Sequence, residues 1–305
     1  MGDTTARYFR DKLAMRVQAK DCGIKVPDFV GILNYEQVNE YANTVAPPWV
    51  LKPRSEAGAV GIKKVQSADE LWKYIHALGD KQSYYLAEKY VKGDVFHVDS
   101  VVYDKKVLFA RASQYRVPPF SVWNEGGVFS TRSMPVKDAD AKKMIALNAK
   151  LVEAMRLVRG VTHTEFIRSH QDGKFYFLEM AARVGGANLD MHVEACSGVN
   201  LWREWARLEL AYLRGESYRL PKIKNDHSAI LYDPMPGGSG LLDQLCKRFD
   251  EVLAKGKRAA RQTSSAHRAC GKPKLGNQSP YTYLTGLAIL TRGGIGYPIA
   301  NPMGG

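Results

Sequence analysis

The sequence is poor in the features that send a chain into a membrane or an oxidising compartment. Its 305 residues contain no apolar run of about 18 or more, so no membrane-spanning helix is expected. The opening MGDTTARYFRDKLAM has no apolar core and does not read as a secretory signal. The four cysteines, Cys22, Cys196, Cys246 and Cys270, are scattered without CxxC spacing. They indicate reduced thiols and argue against both a zinc site and a disulfide framework. No internal repeat is visible. The expectation from these absences is a cytoplasmic protein. Apolar residues make up 45% and charged residues 25%, a globular balance for a chain long enough to bury one large or two small domains.

Acidic residues are missing from one place only. None follows Glu251, whereas Lys255, Lys257, Arg258, Arg261, Arg268, Lys272, Lys274 and Arg292 do. Setting those eight aside reduces the net charge from +13 to +5. The excess therefore belongs to a tail, which argues against a nucleic-acid surface on the body and leaves a basic arm as the lesser alternative. Residues 254–305 are expected to be irregular, with one apolar island at Leu284–Leu290.

Residues 4–22 read as a helix capped by Thr4 or Thr5, with Phe9, Leu13 and Val17 on one face, Lys12 near the middle and Gly23 at the end. A strand at Val26–Val30, a helix at Tyr35–Val45 and a strand at Trp49–Pro53 follow. The last leads into KPRSEAGAVGIKKV, Lys52–Val65. A lysine on a strand followed by a loop with Gly58 and Gly61 suits a phosphate cradle. No GK[ST] follows Gly61, so this is not a P-loop, and an ordinary flexible hairpin fits equally well. Ser67–Gly79 reads as a helix with a Ser67/Glu70 capping box. Strands are expected at Tyr84–Val91, Val95–Tyr103, Lys106–Ala112, Val128–Met134 and His227–Tyr232, and helices at Asp138–Arg156 and Asn200–Arg214. Gln114–Gly127 reads as a long loop flanked by Arg116 and Arg132, and Trp202 and Trp205 as core.

The stretch Thr162–Gly186 organises the chain. Val161–Arg168 and Lys174–Met180 read as two strands closed by a three-residue loop with Gly173 in the left-handed position. Counting outward from His170 opposite Lys174 places Glu165 opposite Glu179. Like charges directly opposite one another destabilise a sheet, so either both are solvated or a cation lies between them. An all-oxygen set with open positions suits Mg²⁺, with Mn²⁺ an alternative. Arg183, four residues after Glu179, is placed to hold a transferring phosphoryl group. His163 shares the face of Glu165 and reads as a substrate contact or a structural histidine. Gly185-Gly186-Ala187-Asn188 would open a helix, with Asn188 a candidate substrate contact; Arg132, which flanks the long loop, is a separate candidate for a substrate carboxylate, or a solvated arginine.

The order Lys12, Lys52 with its glycine loop, EKYV at 88–91, His97-Val98-Asp99, then Glu165, Glu179 and Arg183 resembles the ATP-grasp superfamily across roughly residues 7–215. EKYV…HVD is similar to the biotin carboxylase stretch, and THTEF…LEMAAR is closer to bacilysin-type L-amino-acid ligases. The resemblance implies an α+β fold in which two α+β subdomains hold ATP between them. Residues 1–253 would be the ATP-grasp domain, with a lid-like subdomain at about 47–92. Lys12 and Lys52 would contact the phosphates, and Ser55, Gly58 and Gly61 would belong to the closing loop. Glu88, Lys89, Tyr90 and Val91 would read the adenine edge, and His97 or Asp99 would lie near the ribose. Glu165 and Glu179 would bind the metal, and Arg183 and Lys52 would act on the transferring phosphoryl group. The implied activity is ADP-forming carboxylate–amine ligation on an amino acid or similar small carboxylate.

Two departures qualify that reading. Ala181 stands where much of the superfamily has a metal-binding asparagine, although the amino-acid ligase branch also has a small residue there. Only eleven residues precede Lys12, so the usual Rossmann-like N-terminal domain is expected to be absent. A homodimer or a partner chain could supply what that domain provides. The second reading is accordingly an ATP-binding subunit or fragment that is not active alone.

Overall fold

The computed structural model describes residues 3–58, 60–232 and 287–291. The chain begins with α1 (Asp3–Ala6), a 3-10 turn (Arg7–Phe9) and α2 (Lys12–Asp21). The single helix expected at 4–22 is therefore broken, because Asp11 is extended and caps α2 by accepting from the N–H groups of Leu13 and Ala14. Lys12 consequently opens the helix instead of sitting at its centre. The buried face also differs from the apolar one: Lys12, Met15, Arg16 and Ala19 are buried, while Val17 is 45% exposed.

A four-stranded antiparallel sheet follows. It is built from β1 (Phe29–Gly31), β2 (Trp49–Pro53), β3 (Lys63–Val65) and β4 (Tyr85–Lys89), in the order β1-β4-β2-β3. Two helices cover it, α3 (Tyr35–Thr44) and α4 (Ala68–Leu78). Each starts where a side chain can accept an orphan N–H, Asn34 for α3 and Ser67 for α4. Glu70 reaches back to the N–H of Gln66, one residue before the partner a capping box would use. Between sheet and helices lies an apolar core that includes Trp49, Leu51, Val65, Leu71 and Ile75.

The larger, seven-stranded antiparallel sheet is built from β5 (Gly93–Tyr103), β6 (Lys106–Tyr115), β7 (Phe129–Ser133), β8 (Gly160–Ser169), β9 (Phe175–Ala181), β10 (Ser228–Tyr232) and β11 (Leu287–Thr291). Its order is β11-β10-β7-β6-β5-β8-β9. β11 arises from the apolar island of a segment expected to be irregular, and the rest of 254–305 lies outside the described residues. The expected 114–127 loop instead contains α5 (Pro119–Glu125), with Pro119 as its first residue. The remaining helices are α6 (Ala139–Ala154), α7 (Leu189–Ser197) and α8 (Leu201–Leu213). On α8, Glu204 is fully buried and Trp202 is 54% exposed, so Trp202 is not the core residue its helical spacing suggested.

Alternation along β5 and β8 divides this sheet into two faces. Phe96 and Val98 of β5 and Phe166 of β8 pack with Met144 and Leu151 of α6 and Met15 of α2. The opposite face runs from Val101 and Val161, packed with Val193 of α7 and Leu208 of α8, through His97, Asp99 and His163, to Glu165 and Ile167 at a cleft. Fully burying a side chain such as Phe166 is worth roughly 1.5–3 kcal/mol. This packing fixes which face Glu165 presents.

Candidate active site

The cleft, of about 220 Å³, lies between the two sheets. One wall comes from β2, β4 and the loop after β2, with Lys52, Glu56, Gly58 and Glu88 through Val91. The floor comes from β8 and β9, with Glu165, Ile167, Leu178 and Glu179, and Lys12 enters from α2. Pro118, Phe120 and Trp123, at the start of α5 and within it, close a further side.

Local ties hold each group in place. Asp11 caps α2 and also binds the Arg54 guanidinium, while the Lys12 N–H donates to the Arg54 carbonyl at 2.9 Å. The helix start is thereby fastened to the end of β2, which brings Lys12 and Lys52 into one cleft. Burial raises the Asp11 carboxyl, but Arg54 and the two cap N–H groups outweigh it and hold Asp11 below its ordinary range.

Lys52 is 6% exposed and ion-paired to Glu88, which is 4% exposed and also accepts from Arg16 Nε at 3.0 Å. Burial works against the charge on Lys52 and brings its pKa down to about 8, with Glu88 opposing the fall. Burial would raise Glu88, but Arg16 and Lys52 hold it below the usual carboxylate range.

Glu165 and Glu179 face each other across β8 and β9. Protein groups moderate their repulsion. Lys12 Nζ is 3.2 Å from Glu179 Oε2 and also donates to the Glu56 carbonyl in the loop after β2. Tyr115 donates to Glu165 Oε1 at 3.0 Å, and His163 Nε2 lies 3.6 Å from the same oxygen. Burial opposes charge on His163, yet Asp99 and Glu165 lift its pKa to about 10. Burial favours the neutral form of Glu165, but His163 and Tyr115 hold it below the ordinary range.

Of the residues singled out in the sequence, Lys12, Lys52, Gly58, Glu88, Lys89, Tyr90, Val91, Glu165 and Glu179 line this one cleft. Gly58 and Gly61 both have positive φ, which a residue with a side chain seldom adopts. Gly61 and Ser55 belong to the same loop without lining the cleft. In the 88–91 stretch the Lys89 and Tyr90 N–H groups donate to the carbonyls of Asp28 and Pro48. The Val91 N–H has no protein acceptor among the described residues.

His97 and Asp99 differ from expectation. Both are fully buried and neither lines the cleft. Asp99 divides its oxygens between His97 Nδ1 at 2.7 Å and His163 Nδ1 at 2.8 Å. It is a bracket beneath Glu165. His163 is 7% exposed and serves that bracket. Arg183 is exposed outside the cleft lining, with one guanidinium N–H on the Val184 carbonyl at 2.8 Å. Arg132 is exposed and bonded to Gln114. Asn188 opens α7 in the left-handed region and makes no side-chain cap.

Sequence reasoning missed Arg16, Tyr115 and α5. For Arg16 a signal existed: it lies four residues after Lys12, on the same helix face. The apolar stripe Phe9, Leu13, Val17 drew attention to the wrong face.

Comparison with known proteins bears on the family and the fold. An ATP-grasp domain family model matches residues 9–187. The L-arginine-specific L-amino acid ligase of Bacillus subtilis is 28% identical over 209 residues, covering 66% of this chain and 49% of that protein. The chain thus spans about half the length of this relative. The crystal structure of an L-amino acid ligase from Bacillus licheniformis superposes with a TM-score of 0.61 at 18% identity, covering 96% of this chain and 69% of the other. Carboxyaminoimidazole ribonucleotide synthase from Aspergillus clavatus, solved with ATP, gives 0.67 at 16% identity, covering 94% and 69%. Both likenesses are of fold. With its two sheets facing across one cleft and its family match extending over more than half its length, the chain belongs to the ATP-grasp domain family.

Proposed function

We propose that the chain binds ATP with Mg²⁺ in this cleft and joins a small carboxylate, an amino acid or a close analogue, to an amine. The observation that carries the reading is the pair Glu165–Glu179, facing Lys12 and Lys52 within one cleft.

The donor set fits a hard divalent cation. It is all oxygen, it sits at the floor of a cleft, and Glu179 is at present neutralised by a lysine that a cation could replace. Ala181, the cross-strand neighbour of His163, has no side-chain oxygen to offer as a third ligand. Waters and phosphate oxygens would therefore complete the metal's shell, as is usual for Mg²⁺. When bound, Mg²⁺ would offset the charge of the phosphates.

The chain's own groups do the rest. Lys52, held by Glu88, presents a fixed positive charge to phosphate oxygens. Lys12, released from Glu179, is free to follow them. The loop at Gly58 and Gly61 can bring backbone N–H groups close to the phosphates. The Val91 N–H, without an acceptor among the described residues, can donate to an adenine ring nitrogen, and Val91, Ile167 and Leu178 offer apolar surface to the base. In the reaction, a carboxylate oxygen of the substrate attacks the γ-phosphorus and ADP leaves. The amine then attacks the acyl carbon and phosphate leaves, giving an amide. Little covalent work falls to the protein, and its contribution is positioning and electrostatics. Arg183 supports the transferring group once the cleft is filled.

The test is phosphate release from ATP and Mg²⁺ with single and paired amino acids. Release that requires both a carboxylate and an amine supports ligation. Nucleotide binding without release under every pair supports the alternative, an ATP-binding subunit completed by another chain.

A further inference from the structure

The register between β8 and β9 changes by one residue at the site. Toward the turn, Phe166 faces Phe177 and Arg168 faces Phe175, whereas beyond it Glu165 faces Glu179 and His163 faces Ala181. Leu178 is the residue in excess, and it forms a β-bulge. Packing agrees. Phe177 and Met180, three positions apart, lie in the same core, where strict alternation would send them to opposite faces. Leu178 and Glu179, adjacent in sequence, both line the cleft. With the turn-side register continued, Glu165 would face Leu178 and Glu179 would face Thr164, turned toward the core. The bulge is what makes the two carboxylates a pair.

A bulge takes backbone groups out of the ladder, and here the Leu178 carbonyl accepts from Arg16 Nη1. Arg16 is fully buried, with its guanidinium carbon 5.7 Å from the centre of the Phe177 ring. The remaining edge of the fork turns to Glu88, with Nε at 3.0 Å and Nη2 at 2.9 Å from Oε2. Glu88 holds Lys52. One side chain on α2 therefore touches the bulge beside Glu179 on the floor of the cleft and the counter-ion of Lys52 on its wall.

We propose that Arg16 is a positioning residue of the site. It pins the bulge so that Glu179 faces Glu165, and through Glu88 it sets Lys52 relative to that pair. A planar fork can bond in two directions at once, which a lysine cannot reproduce. The proposal rests on the Mg²⁺-nucleotide reading of the cleft for its functional consequence, and on geometry alone for the bulge.

The experiment compares the full native chain with Arg16→Lys and with the neutral pair Arg16→Gln, Glu88→Gln. Mn²⁺ binding in the presence of ADP is followed by electron paramagnetic resonance, and amide exchange is followed along β9. Arg16→Lys keeps a charge beside Glu88 and loses the fork. The neutral pair removes the Arg16 and Glu88 charges together and leaves Lys52 without its counter-ion, so the exchange of residues 177–180 in that pair decides the matter if the lysine variant does not fold. The expected result is Mn²⁺ binding weakened by about tenfold or more, with faster exchange at residues 177–180 and unchanged exchange in α8. A folded variant that binds Mn²⁺ as the native chain does, with β9 equally protected, overturns the proposal. A native chain that binds no Mn²⁺ with ADP removes the cleft reading instead, and the exchange of β9 then decides the role of Arg16 by itself.

Discussion

The two sheets meet at one cleft and treat buried polarity in opposite ways. The interior of the four-stranded sheet is apolar, with Trp49, Leu51, Val65 and Ile75, and its buried ion pair, Lys52 with Glu88, stands at the cleft edge. The seven-stranded sheet has polar groups in its middle. Asp99 holds His97 and His163, Asn148 joins Ser100 and Thr164, and His192 lies between Ser113 and Ser228. A buried polar group is costly when unpaired and rigidifying when paired. The larger sheet thus has the means to fix side-chain orientation, and that is where the two carboxylates lie. The smaller sheet offers a glycine-bearing loop and one lysine, enough to enclose phosphates without orienting several side chains.

The largest expected effect breaks this division at its acidic side. Glu179→Gln should lower ADP formation by about a thousandfold through loss of a metal ligand, while the exposed control Glu70→Gln keeps most of it. Equal rates of ADP release from the two variants would remove the metal assignment.

On the basic side, Lys52→Met leaves Glu88 with Arg16 alone. Breaking a buried ion pair costs about 3–5 kcal/mol, and the surviving Arg16 should hold the loss in urea unfolding to the lower end. Nucleotide affinity should fall as well, because the phosphates lose a fixed positive charge. A folded variant with native nucleotide affinity would make Lys52 a purely structural residue.

A smaller effect is expected from Arg183→Ala. The side chain is exposed, so stability should change by about 0.5 kcal/mol or less. Nucleotide binding should persist and turnover should fall, as equilibrium dialysis and single-turnover assays would report. Loss of nucleotide binding instead would argue that Arg183 holds ground-state phosphates.

The last effect is on acid stability and leaves the chemistry of the cleft untouched. Burial, aided by His97, lowers the pKa of His192 from 6.5 to about 3. Between those values the unfolded chain takes up a proton that the folded chain refuses, so stability falls as pH drops from about 6.5 to about 3. His192→Gln should flatten that limb of the unfolding profile, and an unchanged limb would place the acid sensitivity elsewhere.

Much of the fold was legible because local signals agreed. Asn34, Ser67, Asp138 and Asn200 each cap a helix that periodicity also indicated. The glutamate pair was read for an incomplete reason. The count assumed a three-residue loop pairing His170 with Lys174, whereas the Ser169 N–H bonds the Lys174 carbonyl and the loop is one residue longer. The bulge at Leu178 restores the register, and nothing in a period-two pattern announces a bulge held by a distant arginine. For the same reason His97 and Asp99 looked like cleft residues: polarity on a strand does not distinguish a ligand contact from a satisfied buried network. The start of α2 was misjudged because a stripe of three apolar residues outweighed Asp11, whose partner Arg54 is 43 positions away.

The central claim is that a divalent cation and a nucleotide share this cleft through Glu165 and Glu179. Titration calorimetry of ADP with and without Mg²⁺, on the native chain and on Glu165→Gln with Glu179→Gln, tests it most directly. The account predicts that Mg²⁺ tightens ADP binding by about tenfold or more in the native chain and leaves the double variant unchanged. Equal Mg²⁺ dependence in both, or none in the native chain, would contradict it.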